Sequence, residues 1–436
     1  MRIVLYGGAF MEFEKIQIAG FRNITEINIM LGSITGLLSV NSYGKSNVLK
    51  AIDFGIDFIN APKKEKDVMM GWKSGFPLNK NSYMTDFSFT IELSLVSNEK
   101  QYEAVYTYSF SWRNKTKQDA KIKKEVLKLR EKGSKQLYSS YIVREDDKAF
   151  YRTSQSGRCN KEILIGDQEL VLNKLTAYDN LFYLDIIMQL NDIETYIDKH
   201  LDTEKAYKPD PIIRRETQQF ALVDSDNIPR TLYQLKLKYP EKYAYLEDIF
   251  TQLFPKIEYL ILKELKLNAS EIDCNLPEEL MLMDNIYMLF CKEKNVVKPI
   301  NFQNMSDGAR RILLLLSNLI LADIHHMPFI CIEEPENSIH PGLLQQFVEV
   351  LNDIRGKTKI LITSHSPYLV NYLQPEDIYI GCYNEQDLVE FHKIRESAIH
   401  RLYKDADASD MNYGDYIFDL LSDPGASEEI EQYVEK

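Results

Sequence analysis

Ser39-Val-Asn-Ser-Tyr-Gly-Lys-Ser46 sits where an apolar run, Gly36–Val40, gives way to a helical pattern at Asn47–Asn60. A phosphate-binding loop needs that setting. Backbone N–H groups and a helix N-terminus face the phosphates, Lys45 neutralises β/γ charge, and the Ser46 hydroxyl takes a Mg²⁺ position. The match to G-x-x-x-x-G-K-[ST] is incomplete, because Ser39 replaces the first glycine. Serine adopts a positive φ only with strain. A Gly-Lys-Ser at a helix start also arises by chance, so the reading depends on what accompanies it.

Three further segments accompany it. Phe329–Glu336 is a buried-strand pattern ending in carboxylates. Glu333 is read as holding Mg²⁺ through water, and Glu334 as orienting an attacking water. The plain alternative is acids placed for a helix dipole. His365 follows a second buried strand in Leu361–Pro367, within reach of a γ-phosphate, although alone it would read as an ordinary surface or core histidine. Asn304–Arg310 precedes an apolar helix. There Ser306 and Gly308 offer a hydroxyl and backbone amides as a second anion site, or Ser306 or Asp307 simply serves as an N-cap. Taken together, the four segments predict a nucleotide site: phosphates, Mg²⁺, and a water placed to attack a γ-phosphate.

The elements that must position these residues follow from periodicity. Met11–Val40 reads as three short strands, and Phe87–Trp112 as an antiparallel pair joined at Ser97–Gln101. Asp179–Leu289 reads as mostly helical, broken by prolines. Ile312–Ile324 is a helix, Met327–Ile332 a buried strand, Pro341–Ile354 an amphipathic helix and Lys359–Thr363 a second buried strand. Buried strands alternating with helices predict an α/β fold with a parallel sheet.

The 436 residues carry 52 basic and 65 acidic side chains, a net charge of −13. With 44% apolar and 27% charged residues, wholesale disorder is excluded. No apolar run is long enough for a membrane span, so no membrane partner is expected and a cytoplasmic location is. Cys159, Cys274, Cys291, Cys331 and Cys382 show no paired or zinc-type spacing. Met11 opens a more natural strand than Met1 does, so residues 1–10 are read as an alternative start.

The set GKSN, MSDGA, IEEPENSIHP and TSHSP, with the opening IQIAGFRNI, resembles the ABC-type ATPase heads of the SMC, RecF and OLD-like families. The resemblance covers Met11–Asn60 and Asn301–Ile380 well. It makes Asn41–Asn47 the Walker A loop (Asn41, Ser42, Gly44, Lys45, Ser46, Asn47), Ser306–Gly308 the signature, Glu333 the Walker B acid, Glu334 the catalytic base and His365 the switch histidine. Ser39 and Ser42 stand where glycines are usual, and Glu333 where Asp is usual. No Q-loop residue is assigned, Gln101 and Gln118 being in poor contexts.

The resemblance implies a P-loop fold with an N-terminal antiparallel β-lobe and an inserted helical lid. Its expected parts are 11–190 (the N-terminal half of the head), 191–300 (the lid), 301–395 (the C-terminal half) and 396–436 (a tail). It also implies a homodimer or higher oligomer closed through the nucleotide, with Arg310 or Arg311 near the neighbour's phosphates unless they line a solvated helix face. Stand-alone heads of this kind resemble the ATPase subunits of bacterial anti-phage systems of the PARIS, Septu and AbiL types, in which a separate effector, a nuclease or toxin, is regulated. Ser366–Lys436 is short for a C-terminal nuclease, and Asp405, Asp407 and Asp410 read as a solvated turn, so no nuclease activity is expected in this chain.

Arg113–Lys135 holds ten Lys/Arg against three acids. It is either a nucleic-acid contact on a helix or hairpin, or a solvated charged insertion. A RecF-like DNA clamp and a weakly hydrolysing nucleotide-dependent scaffold therefore stand as alternatives to an effector-regulating ATPase.

Overall fold

A computed structural model describes residues 11–39, 44–113, 120–198, 203–214, 227–267, 276–278, 280–384, 388–422 and 427–435. The chain forms two compact units. The first comprises Met1–Asp198, His326–Glu333 and Lys357–Lys436, and the second Lys199–His325 and Glu334–Gly356.

In the first unit, fourteen strands among the described residues form one sheet. Its parallel part places Thr195–Asp198, Phe329–Glu333, Lys359–Ser364, Ile34–Leu38 and Ile378–Tyr383 side by side. Three of these are nearly continuous apolar runs, as strands buried on both faces require. Val389–Lys393 pairs antiparallel with Ile378–Tyr383 and continues, through one parallel pairing, to Ile24–Met30. From there the sheet is antiparallel: Met11–Phe21, Phe87–Ser97, Lys100–Phe110, Ile122–Glu131, Ser139–Glu145, Lys148–Arg152 and Cys159–Glu162. The hairpin between Phe87–Ser97 and Lys100–Phe110 turns at Asn98 and Glu99, both at positive φ, as the tight turns that match strand twist require.

The helix Lys45–Asn60 lies on this sheet with Val48, Ile52, Phe58 and Ile59 fully buried. Its end is locked by aromatic packing: Phe58 and Phe110 centroids are 4.7 Å apart and Phe54 and Phe87 5.1 Å. Gly55 permits the approach, since a Cβ there would lie 2.4 Å from the Phe89 ring. Tyr108 Oη donates to the Gly55 carbonyl at 2.7 Å. Lys66, almost wholly buried, donates to the carbonyls of Ile59 and Ala61 at the helix C-terminus, where a cation is favoured.

Of the two forms expected for the basic stretch, the hairpin is the one formed: Ile122–Glu131 is a strand paired antiparallel on both sides. Ile122, Leu127 and Leu129 face inward and Lys124 and Lys128 outward, while residues 114–119, Gln118 among them, lie outside the described residues. Some of its cations meet carboxylates: Lys121 with Asp146 (3.1 Å), Lys123 with Asp86 (2.7 Å), and Arg130 with Glu103. Glu125 points inward and accepts from Tyr106 Oη (3.0 Å) and from the amides of Val171 (2.6 Å) and Leu172 (2.8 Å). Burial raises its pKa against these bonds.

The region 191–300 is less helical than its proline-broken pattern implies. The second unit does hold the helices Ile228–Lys238 and Pro240–Leu253, but also a sheet of Ile257–Lys266, Asn285–Glu293 and Ile300–Asn301, paired antiparallel. Alternating residues such as those of Tyr287–Cys291 put every second side chain inward, which is a strand signal obscured by the prolines around it. The helix Asp307–Ile324 crosses this unit with almost every residue from Ala309 onward buried.

The C-terminal acids are also placed differently from expectation. Asp405 and Asp407 lie in the helix Ile399–Ala408, not in a turn; only Asp410, at positive φ, is in one. Asp405 accepts from Tyr433 Oη at 2.6 Å, which holds its carboxyl below the usual range. Among the described residues the cysteines are free thiols, and Cys274 lies outside them. Among the described residues no helix is long and apolar enough to cross a membrane.

Candidate functional site

The parallel strands of the first unit end together. Leu38 is in register with Ser364, and Thr363 with both Leu37 and Glu333. Residues just past these ends are therefore neighbours, at the edge where open α/β sheets place their ligands. Ser39, Glu333 and His365 all lie there.

Residues 40–43 lie outside the described residues, so nothing is assigned to Asn41 and Ser42. Gly44 is at φ 91°, the left-handed conformation that a glycine adopts without strain. Lys45, 6% exposed, opens the helix; its Nζ donates to the Ser39 carbonyl at 2.7 Å and to Ser39 Oγ at 3.3 Å. Ser39, at the position of the missing glycine, therefore anchors the lysine mainly through its backbone. Ser46 Oγ donates to Glu333 Oε1. A hydroxyl and a carboxylate thus share one point at the start of a helix. Such a hard, oxygen-only donor pair fits Mg²⁺, which is usually held by one or two protein oxygens plus phosphate and water.

Asn47 shows what the sequence reading missed. Its Nδ2 donates to Asn23 Oδ1 at 2.8 Å, and its Oδ1 accepts from Arg22 Nη1 at 2.6 Å. A Cβ on Gly44 would lie 2.9 Å from Asn23 Nδ2. The Arg22–Asn23 turn, with Arg22 at φ 52°, therefore braces the helix start. Arg22 is itself held by the Ser74 carbonyl at 2.7 Å and lies over the Trp72 ring at 5.7 Å. The signal was present in the sequence, an Arg-Asn pair at a turn between alternating strands, but nothing local tied it to residue 47.

In the second unit Ser306 caps the helix Asp307–Ile324, accepting from the Ala309 amide at 3.3 Å. The N-cap alternative is thus realised, and it leaves the amides of the first turn at the helix start. A Cβ on Gly308 would lie 2.5 Å from the Ser338 carbonyl, so only glycine fits. Arg310 and Arg311 do not line a solvated face: Arg311 is fully buried, and Arg310 is held by Asp307 and by the Gln303 carbonyl. Fourteen of the helix's positions are buried, which turns both guanidiniums inward.

Glu334 follows Glu333 directly at φ 47°. Its carboxylate accepts from Asn337 Nδ2 at 2.8 Å, and the Asn337 amide donates to the Glu334 carbonyl at 3.0 Å. Ser338 is at φ 67°, and His340 caps the helix Pro341–Ile354 by accepting from the Gly342 amide at 3.1 Å. Two non-glycine residues in the left-handed region within five positions store strain, as functional loops often do. His365, half-buried, follows Ser364, whose Oγ accepts from the Ser366 amide at 3.0 Å.

Residues 40–371 match the family model described as "AAA domain, putative AbiEii toxin, Type IV TA system", and residues 11–62 match a model for a protein family of unknown function. No curated protein is matched. An Smc head solved bound to the C-terminal winged-helix domain of ScpA is 11% identical. The alignment covers 89% of this chain and 99% of that one, with a TM-score of 0.50. A second Smc head with an extended coiled coil, bound to the C-terminal domain of ScpA derived from Pyrococcus furiosus, is 10% identical. There the cover is 91% and 99%, with a TM-score of 0.49. The chain belongs to this AAA-domain family, and its fold is that of the Smc head bound to ScpA.

Proposed function

We propose that the protein is a Mg²⁺-dependent ATPase that closes as a dimer around ATP and thereby regulates a separate effector, a nuclease or toxin, in bacterial anti-phage defence. The observation that carries the reading is the meeting of Ser46 and Glu333, one from the loop–helix junction and the other from the end of a parallel strand.

In this reading Lys45 binds the β/γ-phosphates, moving from the Ser39 carbonyl to the more strongly charged acceptor. Ser46 and Glu333 hold Mg²⁺, which when bound offsets phosphate charge. Asn47 fixes the start of the helix, with Gly44 before it; Asn41 and Ser42 are phosphate-binding residues by resemblance alone. Glu334 orients the attacking water, its carboxylate aimed by Asn337, and His365 contacts the γ-phosphate. Ser306 and Gly308 present the helix start of Asp307–Ile324 to the nucleotide held by a second copy, so hydrolysis requires two chains. The buried arginines are given no part in it. A cytoplasmic location is part of this reading, in keeping with cysteines that show no paired spacing. A DNA clamp is the second reading: ion pairs to Asp146, Asp86 and Glu103 take up part of the basic stretch's charge, while Lys124 and Lys128 face outward.

The test is sedimentation of the Glu334→Gln chain with and without Mg²⁺–ATP. A shift from monomer to dimer or higher oligomer on adding ATP supports the reading. A mass that does not respond to ATP, in a chain that binds it, argues against closure through the nucleotide.

A further inference from the structure

At the outer end of the antiparallel lobe, on elements that contribute nothing to the phosphate loop, a pocket of about 370 Å³ opens between the strands Lys100–Phe110, Ile122–Glu131 and Ser139–Glu145 and the helix Leu184–Asn191. Its volume falls in the range of small-ligand sites.

The wall is aromatic. Tyr141 packs edge-on against Tyr183 at 4.9 Å and lies 5.8 Å from Phe182. Burial raises the Tyr141 and Tyr183 pKa values, so both phenols stay neutral donors at ordinary pH. The rim is cationic, and its charges are unequally compensated. Lys100 pairs with Glu131 at 3.0 Å, and Arg130 with Glu103. Among the described residues Arg152 makes no ion pair. Its guanidinium lies 4.8 Å from the Tyr141 centroid and donates to the carbonyls of Ser154 and Gln155, which fix its plane without cancelling its charge. A fixed, uncompensated guanidinium stacked at an aromatic wall favours a ligand with both an anionic group and a flat ring.

We propose that this pocket binds a nucleoside 5′-monophosphate unit, either free or at the 5′ end of a single strand. The phosphate meets Arg152, with Lys100 at the rim paired to Glu131, and the base packs among Tyr141, Phe182 and Tyr102. Stacking of this kind is tolerant of base identity.

The test uses the full chain carrying Lys45→Ala, so that the phosphate loop does not contribute. Adenosine 5′-monophosphate and a 5′-phosphorylated tetrathymidylate are titrated separately by calorimetry. Saturable one-to-one binding of either probe is expected, weakened about tenfold or more by Arg152→Gln, as loss of a charge-assisted contact implies. Binding of the mononucleotide alone identifies a free nucleotide as the source; binding of the oligonucleotide alone identifies a strand end. If Arg152→Gln fails to fold by circular dichroism, Lys100→Glu on the exposed rim serves instead, with a loss of about threefold or more expected. Absence of binding by both probes, or equal binding by the folded variants, overturns the proposal.

Discussion

Ser46 Oγ donates a hydrogen bond to the Glu333 carboxylate across 287 residues of chain. Glu333→Gln keeps the shape but removes the charge that would face Mg²⁺. The Mg²⁺ concentration for half-maximal phosphate release is therefore expected to rise about tenfold or more, in line with the cost of losing a charged partner. A Mg²⁺ titration of phosphate release checks this, and an unchanged midpoint would remove Glu333 from the metal position.

The brace between Asn23 and Asn47 predicts a binding defect from a residue outside the loop. Asn23→Ala removes one side-chain hydrogen bond at the helix start, a loss of about 1 kcal/mol. ATP affinity by calorimetry should fall about fivefold, with a loss of thermal stability no larger than that one bond implies. An unaltered dissociation constant would make the turn a bystander.

Most of the candidate site could be proposed from sequence because its residues adjoin elements with clear periodicity. Gly44–Asn47, Glu333 and His365 each border a buried strand or an apolar helix, so local pattern located them. What was not legible depends on contacts between distant segments. Arg22 and Asn23 acquire meaning only through Asn47, and the burial of Arg310 and Arg311 only through packing around their helix. The net charge of the basic stretch was legible but its pairing was not, since Asp86, Glu103 and Asp146 come from neighbouring strands and turns. The sheet of Ile257–Lys266 and Asn285–Glu293 was hidden by the prolines that mark breaks around it.

Gly308 is required by space rather than by conformation. In Gly308→Ala the new methyl meets a backbone carbonyl, which cannot rotate away as a side chain would. A loss of about 1–3 kcal/mol in urea denaturation is expected, as for overpacked sites. A variant as stable as the parent would mean that the turn at Ser338 yields easily.

Lys66 supplies a pH signature. Burial lowers its pKa from 10.5 to about 8. Between those values the unfolded chain binds the extra proton, so this residue's contribution to stability rises with pH across that window. Buried phenols and thiols act in the opposite sense, but they are common to wild type and variant. Relative to Lys66→Met, the wild type should gain about 2 kcal/mol between pH 7.5 and 9.5. Parallel stability–pH curves for the two proteins would show that Lys66 is not the titrating group.

The central claim is that Lys45 and Glu334 serve one ATP-hydrolysing site, and steady-state phosphate release with Mg²⁺–ATP tests it most directly. The wild type should turn over. Lys45→Ala should abolish turnover by abolishing binding. Glu334→Gln should reduce it about a hundredfold or more while ATP still binds, as removal of a general base does. Wild-type rates in both variants would contradict the account.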